Sequence, residues 1–63
     1  MFMNMEIERL RRHMSKAEMA SKLDTTQATL NDWIHRRNPI PADKLRAISR
    51  LFGGMSLDYL LQL

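Results

Sequence analysis

The chain has 63 residues, with 10 Lys and Arg against 7 Asp and Glu, a net charge of +3 and no cysteine. That length suits one domain spanning 1–63 with a single modest core, so a deep catalytic pocket is not expected. Disulfides and thiolate metal sites are excluded, and no apolar run approaches the ~20 residues that cross a bilayer.

The start, Met1-Phe2-Met3-Asn4-Met5, is apolar but short. It has no basic flank and no small-residue cleavage site, so it does not read as a signal peptide. A cytoplasmic protein is expected. The first helix is predicted over 4–13, capped by Asn4. Met3, Ile7, Leu10 and Met14 recur at helical spacing and are expected to form its inward face. The second is predicted over 15–23. Ser15 followed by Glu18 is a capping-box pattern, and Met19, Ala20 and Leu23 supply the buried face. Asp24 is expected to stop it, because aspartate tolerates left-handed backbone better than most residues.

The third helix is predicted over 26–36, with Thr25 or Thr26 as cap and Leu30, Trp33 and Ile34 as its buried stripe. Pro39 is expected to end it, since proline pushes the residue before it out of helical geometry. The fourth is predicted over 41–52, with Pro41 in its first turn. Leu45, Ile48, Leu51 and Phe52 face inward; Lys44, Arg46 and Arg50 face out; Gly53-Gly54 terminates it. The fifth, over 56–62, is capped by Ser56. No segment alternates long enough to make a strand. The expected fold is all-α, a compact five-helix bundle.

The second and third helices meet across a turn of about four residues, as a helix-turn-helix does. Ala20 provides the small side chain such a crossing needs, while Leu23, Leu30 and Trp33 anchor it to the core. The free side of the third helix then carries Thr26, Gln27, Ala28, Thr29, Asn31, Asp32 and His35. These short polar and amide groups match base edges: Gln or Asn bonds adenine, and Ala or a Thr methyl touches the thymine methyl. Asp32 either accepts from cytosine or repels phosphate and so excludes wrong sequences. Two basic clusters, Arg9-Arg11-Arg12-His13-Lys16 and His35-Arg36-Arg37, are either solvated faces or phosphate contacts.

On these residues the chain resembles the lambdoid phage repressor and Cro-type helix-turn-helix family. Ala17-Glu18-Met19-Ala20, Leu23-Asp24-Thr25-Thr26-Gln27 and Ser56-Leu57-Asp58-Tyr59-Leu60-Leu61 carry the likeness, which covers roughly 15–61. The resemblance implies a sequence-specific regulator of transcription, phage- or bacterium-encoded, acting on double-stranded DNA. It implies base contacts from Thr26, Gln27, Ala28, Asn31 and Asp32. Phosphate contacts are expected from Ser15, Lys16, Thr29, His35, Arg36, Arg37, Asn38 and Lys44, with Lys16 also bracing a base-reading side chain. Two copies on a palindromic operator are expected, because one domain covers few base pairs. The dimer surface is either the Tyr59–Leu63 end or Phe2 with Met3, or both ends merely close the core.

The chain departs from the family pattern in four places. Asp24 stands where glycine is usual, Thr25 where an aliphatic is, and Lys16 where glutamine is common. The link after the first helix is short, with His13 near the usual glycine, so Arg9, Arg11 and Arg12 receive no individual roles.

Other chemistries are weaker. His13 and His35 are too few for zinc, which prefers four ligands. Ser, His and Asp occur, but a bundle this small gives them no positioned triad, so neither an enzyme nor a cofactor is expected. Trp33 at its spacing from Leu30 reads as core rather than as a base-stacking platform. The rival reading is a protein-interaction or antitoxin-like module on the same fold, which would show an apolar patch in place of the polar face.

Overall fold

The computed structural model describes residues 1–63 and contains five helices and no strand. They are α1 (Met3–Arg11), α2 (Lys16–Lys22), α3 (Gln27–Ile34), α4 (Ala42–Leu51) and α5 (Leu57–Leu60). The all-helical bundle expected from periodicity is what forms. One core gathers residues from every helix: Met5, Met19, Ala20, Leu30, Trp33, Ile34, Ile48 and Leu60, joined by Met14, Leu23 and Phe52 from the turns.

Short helices leave many unpaired backbone groups at their ends, and here the chain closes them in one repeated way. Each of the first four helices ends in a residue of left-handed conformation: His13 (φ 52°), Asp24 (φ 55°), Arg36 (φ 62°) and Gly53 (φ 73°). In each case the next amide reaches back to the third-last helical carbonyl or its equivalent. Met14 N donates to Arg9 O at 3.2 Å, Thr25 N to Ala20 O at 2.9 Å, Arg37 N to Asp32 O at 2.8 Å and Gly54 N to Ser49 O at 2.8 Å. This is the Schellman arrangement, built at three of its four sites without glycine.

That arrangement corrects the expected end of α3. Pro39 does not stop it; the chain leaves the helix after Ile34, with Arg36 turning left-handed three residues before the proline. Two caps also differ. Asn4 lies inside α1, and its amide donates to Tyr59 O at 2.9 Å, tying α1 to α5. Ser56 occupies the cap position of α5 without a side-chain cap bond, and that helix is only four residues long. Pro41 precedes α4 rather than entering it. At α2 and α3 the expected cap residues hold: Ser15 Oγ accepts from Glu18 N at 3.0 Å, and Thr26 Oγ1 from Thr29 N at 3.1 Å, but the Glu18 carboxylate does not return to the Ser15 amide, so only half of the capping box forms.

The larger correction concerns the faces of α1. Met3, Ile7 and Leu10 are exposed, whereas Met5, Glu6, Glu8 and Arg9 are buried. Only Met14 of the expected stripe enters the core, and it does so from the turn after the helix. Polar bonding selects this orientation. Arg9 pairs with Glu6 and donates to Met14 O at 2.7 Å. Glu8 accepts from Arg12 Nη1 at 3.0 Å and from the Tyr59 hydroxyl at 2.9 Å. The Arg12 guanidinium also lies 4.9 Å from the centre of the Phe52 ring, joining this network to the core through a cation–π contact.

Hydrogen bonds from Arg12 and then Tyr59 hold the Glu8 carboxyl below its ordinary value of 4.5, against the opposing effect of burial. The bond to Glu8, followed by burial, raises the Tyr59 hydroxyl above 10.0. A depressed acid stabilises the fold above its unfolded value and loses that contribution as pH falls through the folded one. Stability is therefore expected to decline on acidification below pH 4.5 as Glu8 protonates. It also declines above pH 10.0, where the raised tyrosine ionises. Urea melts across the acid range test this: Glu8→Gln is less stable at neutral pH and loses part of the acid dependence. An unchanged acid limb in that variant would disprove the assignment.

The left-handed helix ends make opposite predictions for two exposed sites. His13→Gly relieves a left-handed strain and stabilises by about 0.5–1 kcal/mol after the extra entropy of glycine is counted. Nothing lies within 4 Å of a Cβ built on Gly53, so Gly53→Ala is penalised by the backbone alone, by about 1 kcal/mol. Paired chemical melts should move in opposite directions.

Candidate nucleic-acid interface

The site is built on α2, the turn and α3, whose two helices pack more extensively on each other than any other pair. Ala20 is buried on α2, and Leu23 is buried at its end. Leu30 is fully buried, with Trp33 and Ile34 beside it, so α3 is held along one side only. Trp33 is thus a core residue and is not available to stack on a base.

The opposite side of α3 begins with Thr26, Gln27 and Ala28, all exposed. Thr29, Asn31 and Asp32 are half-buried, and His35, Arg36, Arg37 and Asn38 continue exposed into the following loop. Several of these groups are already engaged. The Thr26 and Thr29 hydroxyls lie 2.9 Å apart, and Ser15 is occupied as the α2 cap. Lys16 Nζ donates to Asn31 Oδ1 at 3.0 Å, linking the first turn of α2 to the middle of α3. That bond fixes the amide plane of Asn31 and leaves its NH2 group free to donate. Asp32 accepts from Arg37 Nη1 and Asn38 Nδ2, both at 3.4 Å. Gln27 carries no internal side-chain bond, so its amide is unspent.

Lys44 sits differently from the other expected phosphate contacts. Its ammonium donates to Leu23 O at 2.6 Å and Asp24 O at 3.3 Å, tying the first turn of α4 to the carbonyls that end α2. It holds the helix-turn-helix turn from behind, a role its place on a basic helix face did not suggest.

Two features were absent from the sequence reading. Arg36 adopts the left-handed conformation at the end of α3, and its guanidinium lies 5.9 Å from the centre of the Phe2 ring. The Phe2 amide donates to Ile34 O at 2.8 Å, so the chain start is fastened to the last turn of α3. Phe2, Ile40, Leu45 and Leu61 line an open cleft of about 390 Å³ with Arg36 and Arg37 at its edge. The absence of glycine from 35–38, where the chain has to reverse, was the available signal for a strained residue there.

No group of three or more His, Cys, Asp or Glu is placed to hold a metal ion. No helix is long and apolar enough to cross a membrane.

A buried small residue at the crossing, a left-handed turn residue and a one-sided second helix define a helix-turn-helix domain. The helix-turn-helix family model matches residues 5–60, nearly the whole chain, and the chain belongs to this family, of the Cro/C1 type. The family is one of DNA-binding regulatory domains, not of enzymes, and the chain has a DNA-binding role of the transcription-regulator type. No curated protein and no solved structure matches the chain significantly.

Removing the Lys44 ammonium leaves two turn carbonyls without their donor. Lys44→Met is expected to lower stability by about 1–2 kcal/mol in a urea melt. A melt unchanged within a few tenths would mean that those two bonds contribute nothing to the turn.

Proposed function

We propose that the protein is a sequence-specific, double-stranded-DNA-binding regulator of transcription of the repressor or Cro kind, and that α3 enters the major groove. The observation that carries this reading is the division of α3: Leu30, Trp33 and Ile34 are consumed by the core, while Gln27 and Ala28 stand bare and Asn31 is braced by Lys16. In a groove, Gln27 suits the two-point hydrogen bonding of adenine, the free NH2 of Asn31 suits a base acceptor, and Ala28 suits a thymine methyl. Thr26 completes the leading edge of the helix. Ser15, Lys16, Thr29, His35, Arg36, Arg37 and Asn38 flank this face and supply phosphate contacts, which provide affinity while base contacts provide choice.

One eight-residue helix spans few base pairs. Two copies would therefore bind a palindrome with half-sites about one helical turn, roughly 34–36 Å, apart. In this reading the protein acts in the cytoplasm on bacterial or phage DNA. The interaction-module alternative requires an apolar recognition face, and the exposed side chains of α3 are polar apart from Ala28.

Selection of bound duplexes from a random pool tests the proposal, followed by titration of the winner. Gln27→Ala is expected to cost about 1–3 kcal/mol at one base step and to relax the preference there. Equal binding of all sequences by the unaltered protein would refute sequence-specific recognition.

A further inference from the structure

We propose that Asp32 acts as a restraint on Arg37 that limits sequence-independent affinity for DNA, and is not a reader of cytosine. The inference rests on the DNA-binding reading above and deepens it.

Asp32 is in the last turn of α3, where the aligned backbone dipoles already make the helix end negative. A carboxylate is unfavourable there unless something nearby compensates. The compensation comes from the loop that follows. Both carboxylate oxygens turn toward that loop: Oδ1 accepts from the Arg37 guanidinium and Oδ2 from the Asn38 amide, each at 3.4 Å. The backbone carbonyl of the same residue accepts from Arg37 N at 2.8 Å. One residue thus holds Arg37 by main chain and side chain together.

A cytosine-reading carboxylate must aim an oxygen at an amine in the groove. Here both oxygens are turned toward the protein's own loop. The neighbouring cations are engaged differently: Lys16 bonds an amide oxygen, Arg36 lies over the Phe2 ring, and Lys44 bonds two carbonyls. Of these four expected phosphate contacts, Arg37 alone is paired with a carboxylate. To meet a phosphate it must exchange one anion for another, which reduces its net contribution. The pair is open to solvent, with 61% of the Arg37 side chain exposed, so the exchange remains feasible and salt-sensitive.

The test is titration of the unaltered protein and Asp32→Asn against a selected duplex and an unrelated duplex, over a series of salt concentrations. Asparagine keeps the shape and removes the charge. Asp32→Asn is expected to bind both duplexes roughly threefold to tenfold tighter at low salt, with the slope of log affinity against log salt steeper by up to about 0.9, one phosphate contact. Repeat selection should return the same base preference. Arg37→Ala should cost more affinity in the Asp32→Asn background than in the unaltered protein, a non-additivity expected only if the two side chains are coupled. Circular dichroism and a urea melt establish that each variant is folded.

A changed preference at a single base pair without a gain on the unrelated duplex would overturn the inference and return Asp32 to base reading. An unchanged affinity and slope would overturn it too. If the unaltered protein binds no duplex at all, the DNA-binding reading falls and this one with it. That outcome needs no variant, so the two failures are told apart.

Discussion

An eight-residue helix cannot sustain itself in water, because nucleation costs more than so few hydrogen bonds return. The exposed edge of α3 therefore exists only while Leu30, Trp33 and Ile34 are held in the core. Everything proposed for Gln27, Ala28 and Asn31 depends on that anchoring, and the Ala20 crossing is what allows α2 to provide it. A larger side chain in place of Ala20 would separate α2 from α3 and tilt the polar edge of α3 without touching a polar group. Lys44, bonded to the turn from α4, and Phe2, bonded to the end of α3, fasten the same unit at two further points.

The helix ends follow from the same economy of length. Five helices in 63 residues leave little chain for connections, and the recurrent left-handed closure reverses direction within two or three residues. Glycine would do this with least strain. His13, Asp24 and Arg36 do it instead, and at Arg36 the strained backbone turns a guanidinium onto an aromatic ring beside the interface. Residues in disfavoured conformations concentrate where a side chain has another use, and Arg36, over the Phe2 ring, fits that pattern better than His13.

Much of the architecture was legible in the sequence, for identifiable reasons. The number of helices, the buried stripe of α3 and the caps Ser15 and Thr26 follow from local spacing and local hydrogen bonding. The failures share one cause: a tertiary partner overrides a local rule. Met3, Ile7 and Leu10 have helical periodicity, but Glu8 meets Tyr59 from the far end of the chain, and the Glu6–Arg9 pair turns with it. Asn4 looked like a cap because its bond to the Tyr59 carbonyl cannot be seen locally. Lys44 looked like a free cation because the carbonyls that hold it lie some twenty positions earlier. At the interface, residue types were readable but their mutual engagement was not: neither the Lys16–Asn31 bond nor the Asp32–Arg37 pair follows from composition.

The Phe2 amide belongs to no helix, yet it is bonded to the last carbonyl of α3. Amide hydrogen exchange at that single position would follow the opening of the tail of α3 with no label placed near its polar edge. It also makes the segment before α1 a handle on that edge, since anything that pulls Phe2 away would loosen the carbonyl of Ile34 and uncover the ring beneath Arg36.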